Sequence, residues 1–211
     1  MSLPKPTIYL TSSGSLFSFH AKKLSQIVGR HSRLRLANAR VVYITTAIEH
    51  GRTNFLSVRI ANHAQSNLAK LAGSLVTATF SDPDDLARKI KDADLVYIAG
   101  GETFYLIQEA KRYFPAKEDL IGLIGHRPLI TCSASSIAMG PDVGFARIYR
   151  DNPALAPQLK DETGYGIVPF SPLVHYNAVI GRLYAHYLSR HPEQSHVIGR
   201  PIHDGEEITF P

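Results

Sequence analysis

Apolar residues along this chain gather into short unbroken runs, separated by stretches with helical spacing. Residues 7–10, 41–45, 74–80, 94–98 and 128–132 read as strands. Several of them lack polar alternation, as expected of a strand covered on both faces. Between the runs, Leu56, Ile60, Ala64, Leu68 and Leu71 recur at intervals that place them on one helical face. Asp82-Pro83-Asp84-Asp85 has the features of a helix start. Asp82 suits the cap, Pro83 the first turn, and the acids the positive end of the dipole. Leu86 and Ile90 then share a face. This alternation predicts an α/β fold of three layers, α/β/α, with a mostly parallel central sheet.

Beyond residue 141 the pattern loosens. Residues 144–157 read as an irregular excursion, and Gly166-Ile167-Val168 as a short strand ending at Pro169. Residues 182–190 have helical spacing. A terminal hairpin is expected from residues 195–200 and 207–210, turning at His203-Asp204-Gly205. No repeat, low-complexity tract or flexible linker interrupts the chain, and 211 residues suit one hydrophobic core, so one domain over 1–211 is expected.

Composition narrows the class of function. A hydrophobic fraction of 44% with 19% charged residues excludes a disordered chain. No apolar run is long enough to cross a bilayer, so no membrane association is expected. The opening Met-Ser-Leu-Pro-Lys-Pro lacks the apolar stretch of a signal peptide, and a single cysteine excludes an internal disulfide. Both fit a cytoplasmic protein. The formal charge of +5 is densest at Arg30-His31-Ser32-Arg33-Leu34-Arg35, with Arg40 nearby. Without interleaved aromatics to stack bases, that segment reads as a solvated connection, and no nucleic-acid partner is expected.

Chemistry concentrates in Leu129-Ile130-Thr131-Cys132-Ser133-Ala134-Ser135-Ser136. An apolar strand runs directly into small residues, with Thr131 and Ser135 two positions either side of Ser133. That is the spacing of a nucleophile elbow, where a sharp strand-to-helix turn exposes one side chain and crowds any bulky neighbour. Unpaired N–H groups at the following helix start would face an oxyanion. A second segment, Ala99-Gly100-Gly101-Glu102-Thr103-Phe104, ends a strand in paired glycines that let backbone N–H groups approach a ligand. His175, in Leu173-Val174-His175-Tyr176-Asn177, is the candidate base. Cys132 is a weaker nucleophile candidate. Centred on it, the preceding small position would be the branched Ile130, and strand alternation turns Cys132 toward the core.

Together, Gly100-Gly101-Glu102-Thr103-Phe104, Thr131-Cys132-Ser133-Ala134-Ser135-Ser136 and His175-Tyr176-Asn177 resemble the ordered blocks of the peptidase E family. The resemblance spans most of the chain. It implies the class I glutamine amidotransferase-like (flavodoxin-like) fold and a serine peptidase cleaving short peptides with an N-terminal aspartate. Carried over residue by residue, it makes Ser133 the nucleophile and His175 the general base. Ala134 N–H and the Gly100-Gly101 turn take the oxyanion positions. Asp151, in the loop after the elbow helix, becomes the residue orienting His175, with Asp142 and Asp161 as alternatives.

The chain departs from the family at Thr131 and Ser135, where glycine is usual, and at Ser136, where alanine is usual. A Cβ there is costly if the backbone needs positive φ. The expectation is therefore a narrowed oxyanion hole, with Thr131 and Ser135 turned outward. This keeps a degenerate binding module beside the enzyme reading, and a cyanophycinase-like amide hydrolase as a third. Arg147 or Arg150 is the candidate partner for a substrate carboxylate. The ten histidines show no metal-ligand spacing, and neither a dinucleotide fingerprint nor a P-loop occurs. Neither metal nor cofactor is expected, and the partner is a short peptide. Homo-oligomerisation stays open.

Overall fold

The computed structural model describes residues 6–13, 24–27, 29, 35–50 and 55–211. A six-stranded sheet forms the middle layer, built from β1 (Ile8–Thr11), β2 (Arg40–Ile44), β3 (Ser74–Ala78), β4 (Leu95–Ile98), β5 (Leu129–Cys132) and β8 (Glu207–Phe210). Their spatial order is β3-β2-β4-β5-β1-β8, and every pairing is parallel except β1 with β8. Two further strands, β6 (Ser171–Leu173) and β7 (Gly199–Pro201), form a separate parallel pair.

Strand alternation explains the three layers. Ile8, Leu10, Val42, Ile44, Val96, Ile98 and Leu129 join one buried cluster. Their neighbours Tyr9, Val41, Tyr43, Leu95, Tyr97 and Ile130 join another. Successive side chains point to opposite faces, so a strand apolar at every position needs helices on both. On the first face lie α2 (Pro83–Lys91), α3 (Thr103–Tyr113), α4 (Lys117–Ile124) and the short α5 (Ala134–Ala138). On the second, α1 (Phe55–Leu71) contributes Leu68. The helix α6 (Ala178–Arg190) brings Tyr184 to the first cluster. Asp82 caps α2 by accepting from the Asp85 N–H at 3.1 Å, and Leu86 and Ile90 are fully buried.

The expected strands and helices up to residue 132 are present within a few residues of their limits. Of the basic segment, residues 30–34 lie outside the described residues, as does the side chain of Leu56. The excursion at 144–157 holds two 3-10 turns, Gly144–Tyr149 and Pro153–Leu155.

Two expectations in the last third are corrected. Gly166-Ile167-Val168 is no strand. Gly166 turns at φ +60°, and the N–H groups of Gly166, Ile167 and Val168 bond to the carbonyls of Gly140 and Met139, just past the end of α5. The strand begins later, at Ser171. Nor does a terminal hairpin form. Residues 199–201 pair with β6, while β8 extends the central sheet beside β1, with Leu10 opposite Ile208 and Thr11 opposite Glu207. The turn at His203-Asp204-Gly205 exists, closed by Glu206 N–H to His203 O at 2.9 Å. It connects two different sheets. No described helix is long and apolar enough to cross a membrane.

Candidate active site

The parallel strands β1, β4 and β5 end together at one edge of the sheet, and each contributes a turn to a cavity of about 260 Å³. From β5 comes Ser133, whose backbone sits at φ 51°, ψ −113°, a sparsely populated region for any residue with a Cβ. That conformation turns the chain from strand into α5 within one residue. Its N–H is held by Thr11 O at 3.0 Å, and its carbonyl accepts from Ser136 and Ile137. From β4 comes the glycine turn. A Cβ on Gly101 (φ +152°) would meet Ala47 O at 2.2 Å, and one on Gly100 would meet Cys132 O at 2.9 Å. Only glycine lets this turn lie against the elbow. As the first residue of α5, Ala134 has no intrahelical acceptor for its N–H.

His175 arrives from the smaller sheet. β6 ends at Leu173 and runs beside β7, with Leu173 opposite Pro201. His175 follows the end of one strand and Asp204 the end of the other, so the parallel pairing delivers both to the same place. Ser133 Oγ lies 3.1 Å from His175 Nε2, and His175 Nδ1 lies 2.7 Å from Asp204 Oδ1. Ser12, just past β1, completes the cluster: its Oγ donates to Asp204 Oδ1 at 2.6 Å and accepts the His175 N–H at 2.7 Å.

Asp204 therefore stands where Asp151 was expected, and the reason is topological. Asp151 follows a 3-10 turn packed against the start of α3, where its Oδ2 accepts the Thr103 N–H at 3.0 Å and the Thr103 hydroxyl. It lines the same cavity without reaching the imidazole. The alternatives are also occupied elsewhere. Asp142 accepts from the Gly144 N–H and the Tyr187 hydroxyl, and Asp161 binds Thr163. Asp204 escaped notice in the sequence because an Asp-Gly pair reads first as a turn. Ser12 gave no motif at all. Arg147 is committed to a bidentate pair with Glu162 and lies over the Phe104 ring at 5.0 Å. Arg150 is exposed in a left-handed turn.

Burial pushes the Asp151 carboxyl up to about 7, against the two Thr103 hydrogen bonds that pull it down. Its unfolded value is near 4. Because the folded state holds this proton through that interval, the contribution to stability is full below about 4 and is lost as pH rises through about 7. At about 1.4 kcal/mol per unit, the loss is at most roughly 4 kcal/mol. Asp151→Asn keeps an oxygen for the Thr103 N–H and cannot ionise. Thermal melts from pH 4 to 8 should show the variant gaining on the wild type as pH rises. Parallel melting curves would refute the raised Asp151 carboxyl.

The elbow hydroxyls do not turn outward. Thr131, Ser135 and Ser136 are fully buried and bonded inward. Ser135 Oγ donates to Ile98 O at 2.7 Å and accepts the Cys132 N–H at 2.7 Å, tying β5 to β4. Ser136 Oγ meets Thr131 Oγ1 at 2.8 Å and donates to Thr11 O at 2.8 Å, tying the elbow to β1. Neither Thr131 nor Ser135 has positive φ, so no glycine is demanded at either position. Ser135→Gly should consequently lower stability by about 1–3 kcal/mol, because it strands a buried N–H and carbonyl. Denaturant unfolding measures this. Unchanged stability would show the Ser135 bonds to be dispensable.

Cys132 also lines the cavity, but burial raises its thiol to about 11, partly offset by Tyr97, Gly100 and Thr11. A thiol kept protonated at neutral pH is a poor nucleophile. Away from the hydroxyl cluster the cavity is walled by Tyr43, Tyr97, Ala61, Ala64 and Ile137. Tyr43 and Tyr97 stack at 5.1 Å between ring centres.

Comparison with known proteins identifies the family. The model of "Peptidase family S51" matches residues 8–210. An uncharacterized peptidase of Listeria monocytogenes is 30% identical over 137 residues, which cover 65% of this chain and 65% of that protein. A peptidase E of Shewanella baltica is 35% identical over 98 residues, covering 44% of this chain and 37% of the relative. The matches span about half to two thirds of the first curated relatives' length. Among solved structures, a candidate peptidase E protein from Listeria monocytogenes superposes with a TM-score of 0.73 at 20% identity, over 98% of both chains. A peptidase from an acI-B1 Actinobacterium superposes at 0.58 and 16% identity, over 85% of this chain and 75% of that one. With the family model covering nearly its whole length, this chain belongs to peptidase family S51, the peptidase E family.

Proposed function

We propose that the chain is a serine-type peptidase that cleaves short peptides. Ser133 Oγ attacks the scissile carbonyl while His175 Nε2 takes its proton, later returning it to the leaving amine. Asp204 accepts the Nδ1–H and supports the imidazolium that forms. The N–H groups of Ala134 and the Gly100-Gly101 turn hold the tetrahedral oxyanion. One observation carries this reading: a serine in strained backbone at φ 51°, with its hydroxyl 3.1 Å from an imidazole that contacts a carboxylate on its other nitrogen. The inward-bonded elbow hydroxyls give no reason to regard the chain as a binding module alone.

An N-terminal aspartate is the substrate preference that family membership suggests. Asp151 in its ionised form suits the α-ammonium of such a peptide, which would itself favour that ionisation, since Thr103 engages its Oδ2 and the residue lines the cavity. The test joins a fluorophosphonate probe with a panel of dipeptides of varied N-terminal residue, free and acetylated. Labelling that needs both Ser133 and His175, with cleavage of free-amine peptides, is the expected result. Labelling that survives Ser133→Ala would sink the assignment.

A further inference from the structure

The His175–Asp204 pair is poorly protected, with its side chains 41% and 53% exposed. Exposed polar contacts of this kind hold their geometry weakly, because water competes and both side chains retain freedom. Yet base catalysis needs the imidazole in one tautomer, with a lone pair on Nε2 toward Ser133. The question is what holds it.

Resting on the peptidase reading, we infer that Ser12 is the positioning residue that locks the tautomer and orientation of His175, making the apparatus a serine-histidine-aspartate-serine tetrad. Ser12 is completely buried and sits at the end of β1, the strand that also anchors the elbow through Thr11. Its single hydroxyl makes three contacts: Asp204 Oδ1 at 2.6 Å, His175 Nδ1 at 3.1 Å and the His175 N–H at 2.7 Å. A hydroxyl has one proton and two lone pairs. Donating to Asp204 uses the proton, so toward Nδ1 the oxygen acts only as an acceptor. Asp204, as a carboxylate, is likewise an acceptor. Nδ1 therefore faces two acceptors and must carry its hydrogen, which in the neutral imidazole leaves the Nε2 lone pair toward Ser133.

The backbone bond has a second effect. His175 is at φ 50°, costly for a residue with a Cβ, and its N–H is held in that conformation by Ser12 Oγ. Ser13 extends the clamp to the loop that carries Asp204, accepting the Gly205 N–H at 3.3 Å. A buried strand end thus fixes two exposed residues from below, as supporting hydrogen bonds do for metal-binding histidines.

Ser12→Ala deletes one oxygen. It should lower kcat about 10- to 100-fold, the range expected for a lost supporting partner, with KM within about twofold. In an Asp204→Ala background the same change should cost no more than about twofold, because the two groups act through one imidazole. A full loss in both backgrounds, or an unchanged kcat, would overturn the inference. The tautomer is read separately, by ¹⁵N spectra of the imidazole, and does not depend on turnover. Wild-type His175 should be the Nδ1–H form and Ser12→Ala a mixture of both forms. An Nε2–H wild type, or a variant spectrum identical to it, counts against Ser12. A wild-type chain that cleaves no peptide and takes no fluorophosphonate would instead defeat the peptidase reading, and the spectra would still decide on Ser12.

Discussion

Ser133→Ala should lower kcat by about 10⁴- to 10⁶-fold, the scale seen when a triad serine is removed, while unfolding stability changes by less than about 0.5 kcal/mol. Both halves follow from where the hydroxyl sits. Its partner is His175 Nε2 at 3.1 Å, on a wall of the cavity, and the structural bonds of the elbow are made by its neighbours. The strained φ of 51° is unchanged by the substitution, since alanine and serine pay alike for a Cβ there. Single-turnover assays on the best peptide of the panel, paired with urea unfolding, measure both. A variant that keeps a tenth of wild-type kcat would end the nucleophile assignment. A variant that unfolds would show Ser133 to be structural.

The second large effect separates two carboxylates. Asp204→Asn should reduce kcat by about 10²- to 10⁴-fold, because an amide can present N–H to Nδ1 and force the wrong tautomer. The lower end of that range reflects the exposure of the pair and the support from Ser12. Asp151→Asn should instead act mainly on KM for peptides with a free amine, and little on acetylated ones, because Asp151 contacts Thr103 and not the imidazole. Steady-state kinetics on matched free and acetylated substrates distinguish the two. If Asp151→Asn carries the greater loss in kcat on both substrate types, the orienting role belongs there and the Asp204 contact is incidental.

Much of this architecture was legible in the linear chain because its determinants are local. Apolar runs, several of them without polar alternation, point to strands covered on both faces, and the two clusters on opposite sides of the sheet are their direct consequence. Asp82 and Pro83 start a helix through contacts within four residues. Small residues around Ser133 permit a sharp turn, and the paired glycines mark a turn that tolerates no side chain. The errors came where pairing is non-local. Residues 195–200 and 207–210 have hairpin-like composition, yet β7 finds β6 and β8 finds β1. Nothing within those segments states which edge each will meet.

The amino-acid sequence by itself determined the layered fold, the sharp turn at Ser133 and the glycine turn beside it, each of which depends on spacing along a strand or across a turn. His175 was marked out by the family resemblance, as a histidine at a later strand end. Only the tertiary structure decided which carboxylate stands behind the histidine and what becomes of the elbow hydroxyls. Asp204 and Ser12 are separated by 192 positions in the chain, yet Ser12 Oγ donates to Asp204 Oδ1 at 2.6 Å, because the pairing of β6 with β7 brings Asp204 beside the end of β1. Thr131, Ser135 and Ser136 looked like obstacles to an oxyanion hole until β1 and β4 supplied acceptors for them. A side chain's hydrogen-bonding capacity is written in its identity, but its partner is set by which strands lie side by side.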